Sequence, residues 1–298
     1  MKYRLLPVLA LVTAILAGCG GSSGSDRAVG VPIVTNPDGN PTTAVLTATY
    51  DPANAVLPFP INLLFSGSAD LTLNIPVGDP TDFSNPAVVA NAIDGFSTVT
   101  PWTFSFDGEV NPDTVIPGNS VRFFEVQFVF GTVAVQQINR ELVPGVDFVT
   151  SIVSNDANGA TIAIVPLRPL AEATGYMVVV TDSISDPAGN VATPSQTYFI
   201  TKRTDPLTTG GGVSTDPLLP NATAQALEPL RQLTNAQEIA ATSVGIDRED
   251  IVLSWTATTQ TIRPVLSAIR STLSATSSQA APTGLNTGAV VPGSPGIA

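Results

Sequence analysis

Between Trp102 and Thr201, large apolar side chains alternate with small or polar ones in short runs broken by turn residues. Trp102-Thr103-Phe104-Ser105-Phe106 sets three aromatics on one side of an extended chain, because successive side chains of a strand point to opposite faces. Runs of the same kind predict strands over 121–129, 132–138, 146–153, 161–165, 176–181 and 196–201. Pro117-Gly118, Asn158-Gly159 and Gly189-Asn190 supply turns between them. About seven short strands in about 100 residues is the pattern of an immunoglobulin-like β-sandwich.

The pattern differs on either side of this stretch. Upstream, 45–49 and 71–75 read as short strands, separated by a proline-rich segment, 50–65, whose prolines forbid a continuous ladder. That segment is expected to wrap the surface and push Phe59 and Phe65 into the core, and 86–92 to form a short helix. Downstream, 204–216 reads as a linker. A helix capped by Asn221 follows, with Leu227, Leu230 and Leu233 on one side, ending before Gly245. A strand is expected over 251–257, then a second helix carrying Ile262, Leu266, Ile269 and Leu273 at helical spacing, with Pro264 near its start where proline is tolerated. Residues 282–298 carry no regular pattern.

The fold class expected is therefore mainly β: an immunoglobulin-like sandwich over 100–203, preceded by a β/irregular region over 44–99 and followed by a linker and helix-strand-helix segment over 204–280 and an irregular tail over 281–298.

The first 43 residues follow different rules. Lys2 and Arg4 form a basic start, 5–16 is apolar but short for a membrane span, and small residues lead to Leu16-Ala17-Gly18-Cys19. This order predicts a signal peptide over 1–18. The tetrapeptide resembles the bacterial lipobox, which implies cleavage before Cys19 and acylation of its sulfur, with Gly20 in the next position fitting transfer to an outer membrane. Residues 19–43, opening on the small, polar run 20–30, are expected to serve as a flexible tether. Gly20-Gly21-Ser22-Ser23-Gly24 fits the G-x-S-x-G pattern of a nucleophile elbow. The elbow works only as a strained turn between a strand and a helix, and neither flanks it here.

Composition narrows the chemistry. The chain has 298 residues, 43% hydrophobic, enough to build a real core. Its 24 acidic residues outnumber 12 basic ones, and removal of Lys2 and Arg4 would take the net charge from −12 to −14. No basic stripe exists, so a nucleic-acid partner is not expected, and anionic headgroups are not expected to hold the protein by charge alone. There is no histidine. A Ser-His-Asp or Cys-His system needs an imidazole to take and return a proton near neutral pH. The single cysteine can form neither an internal disulfide nor a thiolate metal cluster. No catalytic residue, cofactor or firm metal site is expected from these residues.

Two resemblances add to this reading. The segments 106–115, 161–170, 174–181 and 184–190 (the last ending Asp186-Pro187-Ala188-Gly189-Asn190) resemble, in this order, the bacterial Ig-like domains of surface proteins, which implies a spacer or presentation module. The proline-rich stretch, the 100–106 strand and the late segments 226–233, 247–256 and 258–260 together resemble the N-terminal region of bacterial virulence-factor-type extracellular lipases, among them phospholipase and lysophospholipase lipoproteins. That resemblance covers nearly everything after residue 43. It implies an α/β-hydrolase domain elsewhere in the polypeptide, carrying the serine and its acidic and histidine partners. Two expectations follow. The first is a membrane-anchored, non-catalytic module that positions or presents a hydrolase domain, with a membrane, that domain or a lipid substrate surface as partner, facing the periplasm or the cell surface. The second is a truncated or split carboxylic-ester hydrolase, which the uncapped C-terminal tail favours.

Remaining candidates have plainer readings beside them. Asp182, Asp186 and Asn190 offer oxygens of the kind calcium takes, without EF-hand spacing; such residues ordinarily serve turns, as do Asn155, Asp156 and Asn158. Trp102 and Trp255 lie in alternating strands, where core packing outweighs a ligand platform. Glu109, Asp113, Glu141 and Asp147 are a conceivable acid/base set, against solvated surface. The Leu227, Leu230 and Leu233 stripe can face lipid, the sandwich or another domain equally well.

Overall fold

The aromatic alternation around residue 102 is the centre of the molecule. In the computed structural model, which describes residues 45–65, 72, 77–82, 84–91 and 93–280, two β-sheets face each other across these rings. Every described residue belongs to one compact unit within 33–298. The signal peptide, Cys19, the tether, the Gly20–Gly24 pattern, the 71–75 strand apart from Thr72 and the 281–298 tail lie outside the described residues.

One sheet has the order β5-β6-β2-β1-β8, built from β1 (Thr47–Ala48), β2 (Trp102–Phe106), β5 (Phe148–Asp156), β6 (Gly159–Pro166) and β8 (Thr193–Pro194). The other has the order β4-β3-β7-β9, from β3 (Val121–Phe128), β4 (Val135–Glu141), β7 (Gly175–Thr181) and β9 (Ile251–Thr258). All pairings are antiparallel except β1 with β8. The architecture is a mainly-β sandwich.

The inner faces interlock through aromatics. Trp102 lies 4.9 Å from Phe123 and 6.5 Å from Trp255, Phe104 5.7 Å from Trp255, and Phe123 5.6 Å from Phe148, centroid to centroid. Trp102, Phe104 and Phe106 are all buried, with Thr103 and Ser105 half-buried between them, as the period of two requires. The Asn158-Gly159 turn is equally direct. Gly159 has φ +148°, and a Cβ there would stand 2.8 Å from the Phe106 carbonyl, so only glycine lets β6 start against β2.

β7 and β9 are buried along both faces. Tyr176, Val178 and Trp255 point inward; Met177, Val179, Ser254 and Thr256 point outward. The cover on this side includes a 22-residue helix, Asn221–Thr242. It is here called α3, after α1 (Pro86–Ala90) and α2 (Gln196–Thr201). β9, the strand of the downstream segment, is thus an integral edge of the four-stranded sheet. A last helix, α4 (Arg263–Ala280), follows it.

Three local expectations change. Residues 196–201 form α2, not a strand: Ser195 accepts the Tyr198 N–H and donates to the Tyr50 carbonyl, and Tyr198 and Thr201 face inward at helical spacing. Asn221 does not cap α3. Pro220 holds the cap position without a side-chain bond, and the Asn221 side chain accepts the Ser214 N–H across the linker. In the proline-rich segment Phe65 is buried, but Phe59 stays half exposed and lies edge-on to Phe96 at 5.5 Å.

Candidate functional site

The face that α3 turns to the sandwich is not its leucine stripe. Leu227, Leu230 and Leu233 are only half-buried, whereas Ala224, Arg231, Thr234, Gln237, Glu238, Ala240 and Ala241 are buried. Small residues let the helix approach closely, and the polar ones between them must find partners.

They do so in one network. Glu238, fully buried, accepts from Tyr198 Oη at 3.2 Å and from Arg248 Nε at 2.8 Å, with Lys202 Nζ at 3.7 Å. The Tyr198 and Ser254 hydroxyls lie 2.7 Å apart, and Ser254 donates to Gln237 Oε1 at 2.7 Å. Lys202 also donates to the Arg248 and Ile251 carbonyls, and Arg248 to the Lys202 carbonyl. The network joins α2, α3, the turn before β9, and β9 itself.

Burial dominates its electrostatics. Desolvation pushes the Glu238 carboxyl above the ordinary glutamate range although Lys202 and Arg248 pull the other way. Desolvation lowers Lys202 and raises Tyr198, the latter helped by the Glu238 charge. Through Tyr198 and Ser254 the chain of hydrogen bonds runs from Glu238 to Gln237.

A buried serine beside a tyrosine and a carboxylate invites comparison with a nucleophile. The geometry argues otherwise. Ser254 is 4% exposed, its proton goes to an amide oxygen, and the neighbouring cavity, lined by Tyr50, Leu230, Leu233 and Trp255 among others, has a volume of about 30 Å³. That holds about one water and no acyl chain. The arrangement docks a helix.

At the far end of α3, Glu228 takes Arg231 in a two-pronged pair at 2.7 and 2.9 Å and also accepts the Leu207 N–H. The Arg231 hydrogen bond is the largest influence holding Glu228 down, to about 2. The linker is therefore fastened to α3, with Leu207 buried.

The residues singled out in the sequence disperse. Asp186 accepts both the backbone and side-chain N–H groups of Asn190, closing a turn. Asp182 lies apart from that turn: its N–H donates to the Asp250 carbonyl, and burial and then the Asp250 charge raise its carboxyl. Among the described residues no group of three or more His, Cys, Asp or Glu side chains is placed to hold a metal. Glu141 pairs with Arg122. Asp147 is gripped by Arg140, Arg168 and the Val143 N–H, which together outweigh its burial and hold it low. Glu109 is exposed on a loop, and Asp113 is exposed in a short 3-10 helix, Pro112–Thr114. Trp102 and Trp255 are 1% exposed and belong to the core, with Trp255 Nε1 donating to the Pro60 carbonyl. Asn155 bonds both backbone groups of Val110.

α4 is anchored differently. Glu172 accepts the Ile262 and Arg263 N–H groups, and Asp94 accepts the Thr261 N–H and hydroxyl. Carboxylates suit the positive end of a helix. Beyond that root Leu266, Ile269 and Leu273 are 58%, 51% and 64% exposed. No described helix is long and apolar enough to cross a membrane.

Comparison with known proteins places this architecture. The Archaellum periplasmic stator protein FlaG from Sulfolobus acidocaldarius is 15% identical, with 34% of this chain and 90% of that chain covered, at a TM-score of 0.19, too low to carry an argument. No curated protein matches the sequence. The family model described as bacterial virulence factor lipase N-terminal matches residues 48–290, a span that takes in both sheets, α3 and α4. The chain belongs to the bacterial virulence factor lipase N-terminal family.

Proposed function

We propose that this chain is the membrane-anchored, non-catalytic N-terminal module of a lipase-like lipoprotein, and that it positions or presents a hydrolase domain at an outer membrane. The observation that carries the reading is the family match over 48–290. Two sequence features support it. The absence of histidine leaves no imidazole to serve a serine nucleophile. The basic, apolar and small-residue order ending at Cys19 fits lipid attachment, and acyl chains contribute about 0.8 kcal/mol per buried methylene.

The test has two arms. In a bacterial host, Cys19→Ala is expected to abolish incorporation of labelled fatty acid and to release the protein from membranes; full retention without acylation would defeat the anchoring claim. The purified chain is expected to take no label from a fluorophosphonate and to leave p-nitrophenyl esters unhydrolysed. A covalent serine adduct would reject the non-catalytic reading.

A further inference from the structure

The hairpin turn between β3 and β4 ends in a wholly exposed aromatic. Phe130 is 101% exposed, Val129 beside it 44%, and Gly131 has φ +74°. An exposed phenylalanine at a convex tip gains nothing from the fold. Its surroundings set it apart from the rest of an acidic chain: no charged residue occurs between Glu125 and Arg140.

Strand pairing shows what stands nearby. Phe128, the last residue of β3, has its ring against Gly175, and Gly175 pairs with Thr258 at the end of β9. The hairpin tip and the root of α4 therefore leave the same end of the four-stranded sheet. The Asn62 side chain accepts the Thr258 N–H there, two residues before the 46%-exposed Leu64. α4 continues the pattern, with its exposed Leu266, Ile269 and Leu273, no acidic residue between Arg263 and Ala280, and Arg270 exposed. One end of the sandwich thus gathers exposed apolar side chains, and the two carboxylates at the α4 root, Asp94 and Glu172, are engaged by Thr261, Ile262 and Arg263.

We infer that this end is a lipid-contacting surface, with Phe130 as its inserting tip and the α4 stripe lying alongside. A convex, uncharged tip suits a soft acyl and headgroup boundary, where an aromatic is well placed, better than it suits the concave pocket of a protein partner. No carboxylate occurs within 126–139 or 263–280 and Arg270 is exposed, so the tip and the helix add nothing to the repulsion between anionic headgroups and the rest of the chain. The inference rests on the membrane-facing reading above only for the presence of a bilayer, since the tip is read independently of the tether.

Phe130→Trp supplies the probe, because Trp102 and Trp255 are 1% exposed and report the core. The full chain, with and without Cys19→Ala, is mixed with phosphatidylcholine vesicles that contain or lack phosphatidylglycerol and carry brominated acyl chains. The extra emission of Phe130→Trp is expected to shift to shorter wavelength and to be quenched by bromine in both backgrounds. Phe130→Ser in the Cys19→Ala background, with unchanged circular dichroism, is expected to weaken vesicle partitioning about tenfold. No shift on either vesicle overturns the inference. So does a shift that appears without lipid as protein concentration rises, which assigns the tip to a protein surface. Loss of membrane retention in Cys19→Ala cells with vesicle quenching preserved would leave both claims standing; loss of retention with no quenching would sink this inference and leave the anchor intact.

Discussion

α3 and α4 carry apolar stripes that look alike in the sequence, yet the structure uses them oppositely. In α3 the leucines are half-buried, and the helix docks through alanines and a buried ionic network. In α4 the root is held by Glu172 and Asp94, and Leu266, Ile269 and Leu273 stay exposed. Periodicity marks which face of a helix is apolar. It does not state what covers that face, nor whether docking runs through that face at all.

The contrast is broken most severely at Glu238. Replacing it with alanine leaves Lys202 and Arg248, 15% and 24% exposed, without the buried carboxylate they face, and the about 3–5 kcal/mol that breaking a fully buried pair costs is the upper bound on the loss. Glu238→Ala is therefore expected to lower the urea midpoint sharply and to expose α3 amides to hydrogen exchange. Glu238→Gln, which resembles the protonated acid, is expected to cost clearly less. Equal losses for the two would remove the charge argument and leave only shape.

The next effect is a pH slope, and α3 carries both signs. Glu228 is held at about 2 against 4.5 unfolded. Its contribution is present above pH 4.5 and fades as pH falls toward 2, worth about 1–2 kcal/mol after allowance for solvent screening. Glu238 is shifted upward, so its contribution is full below pH 4.5 and declines as pH rises through its raised value. Glu228→Gln should flatten the stability loss between pH 4.5 and 2, while Glu238→Gln should remove the loss that appears as pH rises above 4.5. Chemical denaturation on both sides of pH 4.5 reads both. A Glu228→Gln protein with unchanged acid dependence would show that the Arg231 pair contributes nothing net.

How much of this was legible follows from the range of the interactions. Trp102, Phe104 and Phe106 could be placed on the core face because a strand's period is local, and Gly118, Gly159 and Gly189 could be placed in turns because the demand for positive φ is local too. The α2 segment misled because Gln196-Thr197-Tyr198-Phe199-Ile200-Thr201 has strand-like residues, and the Ser195 cap and the burial of Tyr198 outweighed that preference. The membership of β9 in the sheet depends on pairing with β7, from Thr181 with Ile251 to Gly175 with Thr258, a separation that no window spans. Tyr198, Lys202, Glu238, Arg248 and Ser254 are likewise joined only by the fold. One signal was available: Ser254 interrupts Ile251-Val252-Leu253-Ser254-Trp255, and a hydroxyl inside a fully buried run needs a partner.

The smallest expected effect isolates the α4 side of the contrast. If its stripe covers nothing within this domain, changing Leu266, Ile269 and Leu273 together to serine removes no buried area, and each change should stay within about 0.5 kcal/mol. The thermal midpoint should hardly move, and α3 amides should keep their protection. Leu230→Ser, at the lining of the small cavity under α3, serves as the matched control and should destabilise more than any one of the three, because part of its side chain leaves water on folding. A triple serine variant that lost as much stability as Glu238→Ala would mean that the α4 stripe is packed against its own domain in solution, and the distinction between a helix docked by its polar face and one whose apolar stripe is left exposed would then fail.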